Sequence, residues 1–329
     1  MTMTTKRTRQ VTITPLIILI AVVVAGFWAL LAVGTGSPDR SERPRGGDKA
    51  PGDTVDLARR IERYTARFDE DSGYRRPTRA DREAVARGVG LLLDGRQDKA
   101  REQLSDVDMD VRTLVDSVGG RRYAEVADRS DDGPSPRGWG RIYVGLDAPA
   151  RWSVQVPHPR SDEATEQLGV AVLRGSPGGV LVIAGAHRKA GSGNASDVAH
   201  RRDSVFHAVC DELVRRGAPG LQLHGFASGS APDHDVVAST GEGSAARDDG
   251  RELADALREK DFDVCRAWVR NCPLEGRTNV QGRSAAEAGV PFLHVEFSRR
   301  VRMSSEASAE AADALVTVTD AWSARRGAE

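Results

Sequence analysis

Apolar residues follow different periods along this chain, and each period predicts a different kind of element. Leu16 to Val33 is an unbroken apolar run. With Val11 to Pro15 it reaches the roughly 20 residues that span a bilayer core. From Thr54 to about Ser117 the spacing turns helical, with Leu57, Ile61, Tyr64 and Phe68 on one face. A second helical run carries Val85, Val89 and Leu92 and is closed by Gly95; a third runs from Asp98 through Leu104. This stretch holds no His and no Cys, so it reads as a spacer or a packing cap.

From Arg121 the pattern shortens. Tyr123–Ala127, Gly140–Gly145 and Trp152–Val156 read as strands. Strands and helices then alternate. Expected strands are Val180–Ile183, Leu221–Leu223, Val236–Ser239, Val264–Val269 and Pro291–Glu296. Expected helices are Asp162–Leu173, Asp197–Arg216, Ser244–Lys260 and Ser305–Trp322, with Ser196 and Ser304 or Ser305 as N-caps and Gly217 as a stop. The alternation predicts an α/β fold with a mixed central sheet flanked by helices. The expected organisation is a cytoplasmic tail (1–10), a transmembrane helix (11–33), a flexible linker rich in Gly, Pro, Ser and charge (34–53), a helical hairpin or bundle (54–120) and an α/β domain (121–329).

Charge sets the orientation. Lys6, Arg7 and Arg9 precede the span and stay cytoplasmic by the positive-inside rule, so the bulk lies outside a plasma membrane crossed once. A cleaved signal peptide is the alternative, but its apolar core usually runs about 7–15 residues. A net charge of −1 argues against nucleic-acid binding. Cys265 and Cys272 are close enough to staple a short loop outside the cytoplasm, and free buried thiols are the other reading.

All seven histidines fall after residue 157. His158, His187 and His224 directly follow apolar strands, where open α/β sheets bind ligands. A strand-end histidine, a carboxylate on the next helix turn and a second strand-end histidine can converge on one metal ion. Catalytic zinc uses such a set and keeps its fourth position open. His158 and His224 are the histidines chosen, and Asp162, Glu163 and Glu166 are the candidate carboxylates. Strand alternation puts His294, Glu296 and Ser298 on one face. A glutamate at the end of an apolar strand is costly unless paired or functional, and Glu296 suits a general base toward water. Arg300 or Arg302 could hold a substrate carboxylate by a bidentate contact. Arg188, at the start of a Gly/Ser loop, could anchor a carboxylate or polarise a carbonyl. Asp197 and His200 lie a helical spacing of three apart and could back a metal ligand or form a further metal site, and His187 and His200 are alternative ligands. Asn279 and Gln281 belong to a polar loop near the site.

VPHPRSDEATE, LQLHGF and LHVEFSRRVR, in this order, resemble the pattern of zinc carboxypeptidase-like amidohydrolases, especially poly-γ-glutamate hydrolases and N-formylglutamate amidohydrolases. The resemblance covers roughly residues 150–303. It implies a mixed sheet, a Zn2+ cofactor and hydrolysis of an amide in a peptide-like or acidic small-molecule or polymer substrate. It makes His158, Glu163 and His224 ligands, Glu296 the base, and the Asn279 loop a substrate contact. Zinc carboxypeptidases place two residues between the His and the Glu. Here four precede Glu163 and three precede Asp162, so Asp162, Glu163 and Glu166 all remain open. The rival reading is a non-catalytic envelope binding protein on the same fold. A hydrolase using Cys210 fits less well, because that thiol sits inside a helix rather than at its N-terminus.

Overall fold

In β6 (Gly179–Ile183), side chains alternate between two cores: Val180 and Val182 enter one cluster, Leu181 and Ile183 the other. That period of two, buried on both faces, is the mark of a sheet covered by helices on each side. The computed structural model describes residues 52–325 apart from position 134. The expected tail, the transmembrane helix and nearly all of the linker lie outside the described residues. Among the described residues no helix is long and apolar enough to cross a membrane.

In chain order the described elements are β1 (Asp53–Val55), α1 (Leu57–Thr65), α2 (Arg79–Leu93), α3 (Gln97–Ser105), β2 (Met109–Asp116), β3 (Arg122–Asp128), β4 (Arg141–Gly145) and β5 (Trp152–Val156). Then come α4 (Thr165–Gly175), β6, α5 (Val205–Arg215), β7 (Gly220–Phe226), β8 (Val236–Ser239), α6 (Arg247–Arg258) and β9 (Val264–Arg266). The chain closes with α7 (Val280–Glu287), β10 (Phe292–Ser298), α8 (Arg299–Met303) and α9 (Ser305–Arg325). The strands form one sheet in the order β1-β2-β3-β4-β6-β5-β7-β10-β8-β9. Strands β6, β5, β7 and β10 are mutually parallel. The β2–β3, β3–β4, β4–β6 and β10–β8 pairs are antiparallel, so the sheet is mixed as expected.

The stretch expected to be wholly helical is corrected. It supplies α1, α2 and α3, but also β1 and β2, which pair into the same sheet. Met109 and Val111 bury alternate positions of β2 while Arg112 stays exposed, a period of two inside a segment read at 3.6. The linker's last residue, Asp53, belongs to β1. Three helices also start later than expected, one of them α6, which begins at Arg247 rather than Ser244. Arg160 (φ 71°) and Ala164 (φ 68°) are left-handed, so α4 cannot begin before Thr165. Ser196 caps no helix: its Oγ donates to His187 O and Ala190 O at 2.6 and 2.7 Å. Residues 184–204 form a loop, and Ser204 is the cap of α5, accepting from His207 N at 3.0 Å. Strands β7 and β10 run further than expected, to Phe226 and Ser298, whereas β9 stops at Arg266. Cys265 and Cys272 form a disulfide, and Cys210 is free and buried in α5.

Candidate metal centre and catalytic cleft

Three adjacent parallel strands aim their carboxyl ends at one place. His158 follows β5, His224 lies in β7, and Glu296 lies opposite His224 in β10. All three line a cleft of about 220 Å³ with Arg188, His200, Asn279, Leu274 and His294.

At its base, Nδ1 of His158 and Nδ1 of His224 lie 3.3 and 3.2 Å from the same atom, Oδ2 of Asp162. Asp162, not Glu163, is therefore the carboxylate brought to the histidines. The left-handed residues on either side of it create a turn, with Asp162 N donating to His158 O at 2.9 Å, and the turn swings Asp162 inward. Glu163 points out and pairs with Arg299. Glu166 is buried against α1, where it accepts from Thr65 Oγ1 at 3.4 Å. His187 lies apart, its Nδ1 accepting from Lys189 N at 3.3 Å. His200 reaches the cleft wall through Asp197 Oδ2 at 3.1 Å, without joining the donor set.

The outer nitrogens decide what the inner ones can do. His158 Nε2 faces Asp197 Oδ1 at 2.7 Å, and His224 Nε2 faces Gln222 Oε1 at 2.8 Å. The orientation of Gln222 is fixed by backbone anchors further out. Asn279 Oδ1 accepts from Gly282 N, so its Nδ2 donates to Gln222 Oε1. Gln281 Nε2 donates to Val198 O, so its Oε1 accepts from Gln222 Nε2 at 3.3 Å. Both Nε2 atoms thus face acceptors and must carry the proton. In the neutral rings each Nδ1 is then a bare lone pair, facing a carboxylate oxygen.

Three lone-pair atoms at such range need positive charge between them. A proton answers part of the need. Burial disfavours charge on His158, but hydrogen bonds to Asp162 and Asp197 outweigh it and raise its pKa. Burial instead lowers that of His224, so its Nδ1 stays bare near neutral pH. A divalent ion answers all of it. Tetrahedral zinc with bonds of roughly 2.0–2.1 Å has ligand-to-ligand edges of about 3.3 Å, which the 3.2 and 3.3 Å separations match. The backing of metal-ligating histidines by carboxylate and amide oxygens is the usual outer shell of such a site. The residues present fit the ion.

Glu296 sits beside this cluster, a carboxylate oxygen within 4.8 Å of a nitrogen of His224 and one of His294. Burial, then the charge on Asp162, pushes its carboxyl up to about 8. The His294 ring stacks on that of His224, centroids 4.4 Å apart, and its buried Nδ1 has no partner among the described residues. Gly276 (φ 67°) lies over it, where a Cβ would come within 2.4 Å of the ring. Arg188, half-buried, pairs with Asp197 Oδ2 at 3.1 Å and lines the cleft.

The expectation for Arg300 and Arg302 is corrected. Arg300 is exposed and paired with Asp235. Arg302 is buried and donates to the carbonyls of Phe297, Phe226 and Glu163, its guanidinium filling the space that a Cβ on Gly225 would take. It clamps the ends of β7 and β10 and offers no free fork to a ligand. Gln222 escaped the sequence reading, though a glutamine two residues before His224 in an apolar strand shares its face. Burial pushes the Cys210 thiol up, away from nucleophilic use.

Among solved structures, the chain is similar to an N-formylglutamate amidohydrolase from Ralstonia eutropha JMP134. Identity is 16%, the TM-score is 0.39, and the match covers 55% of this chain and 96% of that one. It is also similar to a bacteriophage poly-gamma-glutamate hydrolase, at 14% identity and TM-score 0.41, over 60% of this chain and 95% of that one. No protein-family model matches the chain, and no curated protein matches it.

Proposed function

We propose that this chain is a zinc-dependent hydrolase of amide bonds, held outside the cytoplasm by its N-terminal apolar segment. The observation that carries the reading is the convergence of two bare Nδ1 atoms and Asp162 Oδ2 beside a buried glutamate in one cleft. Zinc bound there supplies a Lewis acid for a carbonyl oxygen and makes water a better nucleophile at neutral pH. The protein's own groups do the rest. Glu296 takes a proton from the attacking water as the new C–O bond forms, then gives it to the amide nitrogen as the C–N bond breaks. The products are a carboxylic acid and an amine. Burial, then the charge on Asp162, holds the Glu296 carboxyl up at about 8, and a positive charge held at Asp162 would offset the second of these. Arg188 orients a carboxylate or carbonyl oxygen of the substrate from the cleft wall. The Cys265–Cys272 disulfide supports an oxidising compartment. A peptide-like or γ-glutamyl substrate fits the resemblance.

The test is amine release from N-acyl-glutamate and γ-glutamyl peptides by the zinc-loaded protein, with Glu296→Gln alongside. Loss of about 10²–10⁴-fold in rate with zinc retained is expected for a general base. Equal rates in both proteins, or no release from any amide offered, would overturn the hydrolase and leave a binding protein.

A further inference from the structure

On the N-terminal part of the sheet, away from the cleft, lies a second and differently built cavity. It has a volume of about 300 Å³, and five arginines line it against a single aspartate. Arg60 and Arg63 come from α1, Arg67 from just beyond its end, Arg112 from β2 and Arg141 from β4.

Their pairing divides them into a fixed base and a free rim. At the base, Arg60 gives Nε and Nη2 to Glu125 at 2.7 and 2.5 Å. Arg141 gives Nε to Asp131 at 3.0 Å and stands 3.9 Å above the Tyr64 ring. Glu125 and Asp131 are buried, and each is paired with one of these two guanidinium groups. Burial holds the Asp131 pKa up at about 6, which shows how poorly solvated that side is. At the rim, Arg67 meets Asp132 in a pair exposed on both sides, and Arg112 meets Asp110 in another open pair. Exposed pairs of this kind contribute little to stability, so an incoming anion exchanges for them at little cost. Arg63 is exposed and has no partner among the described residues. Arg60 and Arg63 also crowd like charge at a spacing of three, which disfavours a helix that gains nothing from it.

We infer that this cavity binds a compact polyanion bearing phosphate groups. Guanidinium forks match phosphate oxygens in pairs, and several around one cavity favour a multiply charged group over a single carboxylate. The ligand group is a pyrophosphate or phosphomonoester, free or carried as a lipid headgroup. The site is separate from the metal centre and does not depend on the hydrolase reading.

The test uses the full chain in neutral detergent and titration calorimetry with sodium pyrophosphate and with dihexanoyl phosphatidic acid. Arg63→Ala/Arg67→Ala is compared with Arg251→Ala, an exposed arginine on α6. One saturable site, weakened about tenfold or more in the double variant and unchanged in Arg251→Ala, is expected, since the variant removes charge-assisted hydrogen bonds to the anion. Binding of pyrophosphate alone assigns the free anion, and binding of the lipid alone assigns the headgroup. Absence of saturable binding of either, or equal affinity in the double variant and Arg251→Ala, overturns the inference. Circular dichroism of the double variant checks its fold, and Arg63→Glu, which reverses one rim charge, must weaken binding as well.

Discussion

The two ends of this sheet handle buried carboxylates in opposite ways. On the N-terminal side Asp116, Glu125, Asp128 and Asp131 each meet an arginine. Asp128 takes both Nε and Nη2 of Arg137, at 2.6 and 2.8 Å, and Asp116 takes the fork of Arg174 at 2.7 and 2.8 Å. Glu125 and Asp131 are met by Arg60 and Arg141. At the ends of β5, β7 and β10, Asp162 is equally buried but meets only imidazole nitrogens. The first arrangement carries its own cations as folded. The second lacks one and is complete only when an ion arrives. Asp162, enclosed beside bare imidazole nitrogens with no resident cation among the described residues, thus stands apart from these four ion-paired carboxylates.

Substitutions can break or sharpen that contrast. Arg137→Ala strips the partner from Asp128 in a pair that is almost fully buried. It is expected to cost about 3–5 kcal/mol, the usual cost of leaving a buried charge alone, read by chemical denaturation. Next in size, Gln222→Leu leaves all three donor atoms in place but removes the acceptor that holds the His224 tautomer. Zinc affinity, read by competition with a chromophoric chelator, should fall about 10–100-fold, with circular dichroism checking that the variant keeps its fold.

A smaller effect should separate the two ends most sharply. In the metal-free protein at alkaline pH, Asp162→Asn puts an amide N–H where bare Nδ1 lone pairs had faced a carboxylate. It should stabilise the fold by about 1 kcal/mol, whereas Asp128→Asn should destabilise it. Thermal melts of both in chelator decide this, and destabilisation by Asp162→Asn would remove the contrast. The smallest effect concerns acid. Burial opposes the charge on Asp116, but the hydrogen bonds from Arg174 outweigh it and lower its pKa. Its contribution is therefore whole above the unfolded value of about 3.9 and is lost as pH falls through the folded one. Asp116→Asn should flatten the stability curve below pH about 4 and leave its slope near neutrality unchanged.

Much of the centre was legible because strand ends are where α/β sheets place ligands. His158, His224 and Glu296 each follow or end an apolar run, and the register of β7 against β10 brings the last two together. The choice among Asp162, Glu163 and Glu166 was not legible, because all three fit a helix's first turns equally well. It is made by left-handed turns at Arg160 and Ala164, residues with no glycine to announce them. Arg300 and Arg302 misled for a related reason: an arginine after a strand reads alike whether it faces a ligand or clamps carbonyls. The strand β2 was hidden because Asp110, Arg112 and Thr113 dilute its apolar positions, and its pairing with β3 is a tertiary event. Asp197, read only with His200, also orients His158 from a loop that the helical pattern had absorbed.

The central claim, that the donor set of His158, Asp162 and His224 holds a metal ion, is tested most directly by zinc content. The full chain, purified in neutral detergent without chelators or metal-binding tags, is measured beside His158→Ala and His224→Ala. One zinc per chain in the parent, lost from both variants while circular dichroism stays unchanged, is the expected result. No zinc in the parent after zinc addition, or full zinc in both variants, would contradict it.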